Sequence, residues 1–137
     1  MSVLRREIQK CMSDWETGAD RVIRARFVFP EDFTGFQGHF PERPVVPGVC
    51  LVQSVLAMLE KWHGGPVRLK EISNAKFYSP STSGEVLEVT CSVKDKTDKE
   101  IRADAVVAHR GKKTAEIHLT AQCFYQLDKR SFIGWII

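Results

Sequence analysis

The stretch that decides the fold runs from residue 35 to residue 63. It reads GFQGHFPERPVVPG over residues 35–48 and VCLVQSVLAMLEKWH over residues 49–63. The second part repeats apolar residues at the three- and four-residue spacing of one helix face, and Gly64-Gly65-Pro66 after it is a typical helix stop. It therefore predicts a long apolar helix over residues 49–63. The first part contains clusters of Gly and Pro without a sustained period, which favours an ordered loop.

Five strands are predicted around this helix. Residues 21–29 alternate in polarity, are rich in β-branched and aromatic types, and end at Pro30. Four more strand-like runs follow the helix, near residues 67–78, 84–94, 100–109 and 113–126. In the last run one face carries Ala115, Ile117, Leu119, Ala121, Cys123 and Tyr125. A single buried helix among consecutive antiparallel strands predicts an α+β fold, in which the sheet wraps its apolar face around the helix.

A single domain, residues 1–137, is predicted for the whole chain. This length suffices for one hydrophobic core, and no internal repeat or low-complexity linker interrupts it. Residues 3–12 space their apolar side chains as a helix does, so residues 1–20 are predicted to form an N-terminal helical extension. The apolar C-terminal tail, residues 128–137, is far shorter than a membrane span and is expected to pack against the domain or a partner subunit.

Composition excludes several classes of function. The apolar and charged fractions, 43% and 27%, are ordinary for a globular protein. A net charge of +3 is too small to predict nucleic-acid binding. No run approaches the roughly 20 apolar residues of a membrane span, and the start of the chain lacks a signal-peptide pattern, so a cytoplasmic location is expected. Four cysteines without a C-x-x-C pair predict small buried residues and no metal site, and no cofactor is expected.

The loop before the helix carries the residues best suited to catalysis. Gly38 and the prolines around His39 would hold that histidine in one place, and a rigid neutral imidazole is a usable general base. Gly48 opens the predicted helix, where unpaired backbone N–H groups and the macrodipole favour developing negative charge. The N–H of Gly48 or Val49 could therefore stabilise an enolate-like thioester oxygen.

These residues form a pattern that resembles the dehydratase branch of the hotdog superfamily, the 3-hydroxyacyl-[acyl-carrier-protein] dehydratases. Residues 38–49 match G-H-F-P-x-R-P-V-x-P-G-V. Residues 75–80, AKFYSP, and 84–87, GEVL, resemble two strand ends of that family. The resemblance covers roughly residues 21–127 and leaves out the N-terminal extension and the C-terminal tail.

The resemblance implies a long central helix wrapped by a curved antiparallel sheet, and dimers whose sheets join into one. It also implies an acyl tunnel at the subunit interface, with acyl carrier protein or an acyl-CoA thioester as partner and a homodimer or higher oligomer as the assembly. His39 would be the catalytic histidine and Gly48 the oxyanion donor. Substrate-binding residues would be Phe40, Val46, Pro47, Val49 and Phe77.

Gln53 departs from the family pattern. It stands on the helix where the family carries a carboxylate that acts as an acid across the subunit interface. An amide can hold a hydroxyl group but has no ionisable proton to give, and general-acid help typically contributes about 10²- to 10⁴-fold. Glu60 lies on the same helix face about 10 Å along the axis, too far to replace Gln53 directly.

Three functions are consistent with these residues. The leading hypothesis is a dehydratase-like lyase acting on 3-hydroxyacyl thioesters in fatty-acid or related synthesis, with His39 as base, Gly48 as oxyanion donor and Gln53 orienting the hydroxyl. A non-catalytic acyl-binding or partner subunit of a hotdog heteromer is the second. A hotdog acyl thioesterase is the third.

Overall fold

The computed structural model describes residues 3–36 and 44–124. In these ranges the chain forms two α-helices, α1 (Val3–Lys10) and α2 (Gly48–His63), and a short 3₁₀ helix, Thr34–Phe36. The strands are β1 (Met12–Thr17), β2 (Val22–Phe27), β3 (Val67–Phe77), β4 (Leu87–Lys96), β5 (Glu100–His109) and β6 (Lys112–Cys123). All six join one curved antiparallel sheet in the order β1-β2-β4-β5-β6-β3. The predicted α+β fold is confirmed.

The core lies between α2 and one face of the sheet. Alternate residues of β5 and β6 point into it, and their side chains are almost fully buried: Ile101, Ala103, Ala105, Val107, Ala115, Ile117, Leu119 and Ala121. The centre of α2 is buried on nearly all sides, with Val55, Leu56, Ala57, Met58 and Leu59 inaccessible to solvent. A helix apolar all round needs cover on all sides, and here the sheet and α1 supply it.

The N-terminal segment differs from the predicted helical extension. Its helix ends at Lys10, and β1 follows as an edge strand paired with β2. The strand escaped prediction because both of its faces are largely exposed, so its sequence, MSDWET, has no polar and apolar alternation. Asp14 has a positive φ of 51°, and the pairing with β2 shifts between Ser13 and Glu16.

β3 forms the opposite edge of the sheet and is also largely exposed. Its pairing with β6 is interrupted twice, and most side chains between Lys70 and Phe77 reach solvent. Ile72 and Phe77 are exposed apolar residues of this strand. An edge strand with exposed apolar residues is a common place for another chain to pair.

The ends of α2 follow the sequence signals. Gly64 adopts the left-handed conformation, with φ 83°, and its N–H donates to the Glu60 carbonyl oxygen at 2.8 Å, which closes the helix as the Gly-Gly-Pro stop predicts. At the other end Pro47 is extended and forms no side-chain cap. Neither helix in the described ranges is long and apolar enough to span a membrane. Tyr125 and the tail, residues 128–137, lie outside the described residues.

Candidate active site

The N-terminus of α2 opens into a cleft. The cleft has a volume of about 430 Å³. It is lined by residues that precede and follow Gly48 in the chain and by residues at the end of β3. Four predicted site residues border it: Val46, Pro47, Gly48 and Phe77. The helix begins with Pro47 as its N-cap, so no side chain competes for the first backbone N–H groups of the helix. A negatively charged oxygen placed in this cleft would face the positive end of the helix dipole.

Gly48 allows the close approach of an aromatic ring. A Cβ atom at this position would lie 3.0 Å from Cζ of Phe77, closer than most real contacts of a Cβ atom. Phe77 is half exposed, with 50% of its surface accessible, and its ring forms one wall of the cleft. The glycine therefore brings the helix backbone, rather than a side chain, against the aromatic wall.

The chain leading into α2 is fixed to the connection between β3 and β4. The Val46 N–H donates to the Ser81 carbonyl oxygen at 2.7 Å, and the Ser83 N–H donates to the Pro44 carbonyl oxygen at 3.2 Å. Ser81 also lines the cleft, and its buried hydroxyl finds no hydrogen-bond partner among the described residues. Sequence reasoning missed Ser81, since a serine in a connection carries no pattern of its own.

Gln53 lies on a different side of α2. At 100° per residue its side chain projects about 140° around the axis from Gly48 and about 40° from Val49. Val49 is 61% exposed and Gln53 is half buried, whereas all other residues between Gly48 and Lys61 are buried, so the pair marks the accessible stripe of this part of the helix. One copy of the chain therefore directs Gly48 and Gln53 to different sides of α2.

Arg5 of α1 holds the side chain of Gln53. The guanidinium Nε–H donates to Oε1 of Gln53 at 2.6 Å, and Nη1 donates to Oε1 of Glu60, also at 2.6 Å. Nη1 further contacts the Val67 carbonyl oxygen at 3.3 Å. Arg5 and Glu60 are only 8% and 7% exposed. Arg5 thus bridges the two helix positions that are too far apart to meet directly.

The sequence offered no signal for Arg5. It precedes the segment that carries the family resemblance, and its partners are far away in the chain. His39 and Phe40, predicted as catalytic and substrate-binding residues, lie outside the described residues, so their roles stay predictions. The placement of Val46, Pro47, Gly48, Val49, Gln53 and Phe77 is described, and their roles also stay predictions.

The remaining histidines have protein partners. His109 contacts the Glu85 carboxylate at 3.0 Å, and His118 contacts the Asp104 carboxylate at 3.2 Å. The ring of His63 lies 3.3 Å from a backbone carbonyl oxygen. Each of these three side chains is therefore held by a contact within the chain.

The cysteines are poor nucleophiles. Burial raises the pKa of the Cys91 thiol to about 12 and that of Cys11 to about 11. Burial also raises the pKa of Cys50 and Cys123. A thiol with a raised pKa stays protonated near neutral pH. Only the thiolate form attacks a thioester. Within residues 3–36 and 44–124, no group of three or more His, Cys, Asp or Glu side chains is placed to hold a metal ion.

Sequence comparisons give a family and two related enzymes. The family model described as ApeI dehydratase matches residues 15–118. The chain is 31% identical over 109 residues to the 3-hydroxyacyl-[acyl-carrier-protein] dehydratase FabZ of Lactobacillus helveticus, covering 73% of this chain and 72% of that protein. It is 26% identical over 92 residues to FabZ of Clostridium acetobutylicum, covering 62% of this chain and 65% of that protein.

Solved structures share the fold. The dehydratase heterocomplex ApeI:P from Xenorhabdus doucetiae matches with a TM-score of 0.67 at 17% identity, covering 82% of this chain and 96% of that chain. The PaaI protein of the phenylacetic acid degradation operon of E. coli matches with a TM-score of 0.61 at 14% identity, covering 88% of this chain and 92% of that chain. These likenesses confirm the predicted hotdog fold.

Proposed function

Since this chain belongs to the ApeI-like family of hotdog dehydratases, we propose that it is a hydro-lyase that removes water from 3-hydroxyacyl thioesters carried by acyl carrier protein. The observation that carries the proposal is the uncapped N-terminus of α2, which opens at Gly48 into a cleft walled by Phe77. An acyl thioester bound in this cleft needs an apolar wall for its chain and a hydrogen-bond donor for its carbonyl oxygen. The cleft offers both.

The proposed reaction uses His39 as its base. The imidazole takes the proton from C2, the thioester oxygen becomes enolate-like, and the N–H of Gly48 or Val49 stabilises its charge. The C3–O bond then breaks, a C2–C3 double bond forms, and hydroxide leaves. Because Gln53 has no ionisable proton, the imidazolium of His39 returns its proton to the leaving hydroxide, which departs as water. Gln53 holds the 3-hydroxyl group in place during this transfer.

The proposed assembly is a homodimer or a higher oligomer. Gly48 and Gln53 point to different sides of α2, so a complete site combines the Gly48 cleft of one copy with Gln53 of another. The exposed edge of β3 and the exposed side chain of Val49 supply apolar surface for the pairing. A carrier-protein substrate would place the enzyme in the cytoplasm.

A non-catalytic partner subunit is the second candidate. It is favoured by one observation, the amide at position 53 whose oxygen is occupied by Arg5. The dehydratase heterocomplex among the solved structures shows the same fold in an assembly of unlike chains. A thioesterase has less support, since the shared fold alone suggests it.

The deciding experiment measures both directions of the reaction. Purified protein is incubated with 3-hydroxyacyl and 2-enoyl thioesters of acyl carrier protein and of CoA, and formation or loss of the conjugated double bond is followed. We expect turnover that His39→Ala abolishes while the thermal unfolding midpoint stays near that of the original protein. His118→Ala is the matched control, because that histidine pairs with Asp104 away from the cleft. Binding of a product analogue without turnover would instead support the partner subunit.

A further inference from the structure

The contact between Arg5 and Gln53 has a definite direction. A guanidinium group carries only hydrogen-bond donors, whereas a side-chain amide has an oxygen that accepts and a nitrogen that donates. The atom of Gln53 that lies 2.6 Å from Nε of Arg5 must therefore be the oxygen. The NH₂ group consequently points away from Arg5, and it can only donate.

Glu60 keeps Arg5 in this orientation. Its carboxylate accepts from Nη1 at 2.6 Å, so two nitrogens of one planar group are engaged at once, by Gln53 and by Glu60. A planar group held at two points cannot turn without breaking one contact. Glu60 also neutralises the buried cation, which would otherwise be costly to desolvate.

Stability alone does not account for this arrangement. A buried ion pair can often be replaced by apolar residues of similar volume with no loss, or even a gain, of stability. By this general behaviour, two methionines of similar length could take the place of the pair in packing α1 against α2. What the ion pair adds is a fixed orientation for the one polar side chain on the accessible stripe of α2.

We propose that Arg5 is a positioning residue that fixes the amide of Gln53 so that its NH₂ group donates to the 3-hydroxyl oxygen of the substrate. The inference rests on the proposed function, because it assigns Gln53 to the substrate hydroxyl. By this inference, Arg5 of α1 determines that Gln53 acts as a hydrogen-bond donor in the site. The helix α1 precedes the residues matched by the family model. A carboxylic acid at the same place would transfer a proton to the hydroxyl oxygen, whereas this amide donates only a hydrogen bond to it.

Binding of two stable ligands tests the proposal without requiring turnover. The probes are pantetheine derivatives in which an amide replaces the thioester, one bearing a 3-hydroxybutyryl and the other a butyryl group. Titration calorimetry gives the ratio of their dissociation constants. We expect the original protein to prefer the hydroxylated ligand by about five- to tenfold, the contribution of one neutral hydrogen bond.

Three variants separate positioning from general packing. Gln53→Met and the double variant Arg5→Met/Glu60→Met should each bring the ratio close to one. Ile8→Val loosens a fully buried contact of the same helix without touching the guanidinium, so it should keep the ratio. Should the double variant fail to fold, side-chain amide NMR of the original protein answers the question: the Gln53 NH₂ resonances should shift with the hydroxylated ligand and not with the butyryl ligand.

The outcomes distinguish this inference from the proposed function. A preserved ratio in folded Arg5→Met/Glu60→Met overturns the positioning role and leaves the dehydratase proposal intact. A ratio near one in the original protein, or NH₂ resonances indifferent to the hydroxyl, also overturns it. A ratio that depends on Arg5 in a protein without turnover supports the inference and refutes the dehydratase.

Discussion

Replacing Gln53 by glutamate tests how far Arg5 controls the site. The change introduces a carboxyl group where the related family carries one, and a working general acid would raise the rate by about 10²- to 10⁴-fold. Its oxygen, however, would take the place of the amide oxygen, 2.6 Å from Nε of Arg5. An adjacent opposite charge favours the ionised carboxylate by about 10- to 10³-fold. An ionised carboxylate has no proton to give, so we expect Gln53→Glu alone to change the rate at neutral pH by less than about tenfold.

Removing the cation should release the effect of the new acid. In the triple variant Gln53→Glu/Arg5→Met/Glu60→Met the introduced carboxyl group has no adjacent guanidinium, so more of it is protonated and the rate should exceed that of the single variant by about 10- to 10³-fold. The assay is the steady-state dehydration of a 3-hydroxyacyl thioester from pH 5 to 8, with Arg5→Met/Glu60→Met as the reference for the loss of the ion pair. A hundredfold gain from Gln53→Glu alone at pH 7 would refute this reasoning.

Three further changes test other parts of the structure. Gly48→Ala places a Cβ atom 3.0 Å from Cζ of Phe77; we expect at least tenfold slower turnover, because the new methyl group narrows the cleft, and a small change in the unfolding midpoint, because the half-exposed ring can move. An unchanged kcat would contradict entry of the substrate between Gly48 and Phe77. Glu60→Gln removes the negative charge beside Arg5 and should lower the free energy of unfolding, measured by urea titration, by about 3–5 kcal/mol. This loss should be well above that of Arg5→Met/Glu60→Met. Equal losses in the two variants would contradict the buried pair. Burial raises the pKa of Cys91 from 9.0 to about 12, so the folded state binds this proton more tightly than the unfolded state does; its contribution to stability is complete below pH 9 and is lost as the pH rises toward 12, a decline that should be shallower in Cys91→Ala.

The fold was predictable where burial imposes a period. The strand predicted over residues 100–109 is β5 with the same bounds, and the predicted helix differs from α2 by one residue at its start. Both elements have a core-facing side that repeats apolar residues in the sequence. β1 has no such side, so neither composition nor alternation could reveal it. Its place depends on backbone pairing with β2, which leaves little trace in residue types.

The site was predictable only in part, for a related reason. Gly48 and Gln53 stand at fixed positions of a motif, so residue types and spacing are enough to nominate them. Arg5 is linked to Gln53 by a contact across the fold, and a lone arginine on a short amphipathic helix looks like any solvated charge. Its importance comes from burial and from simultaneous contacts with Gln53 and Glu60, and both are properties of the folded chain.

The two edges of the sheet differ in a way that limits assembly. At the β1 edge, Asp14 has a positive φ and the register slips between Ser13 and Glu16, so this border is kinked as well as charged. Kinks and charges of this kind hinder the docking of another strand. In the homodimer proposed above, two copies would therefore pair through β3, and a two-fold axis would occupy that edge in both copies at once. Such a dimer would be a closed particle of fixed size, because neither copy would keep an unhindered edge on which further strands could add into fibres.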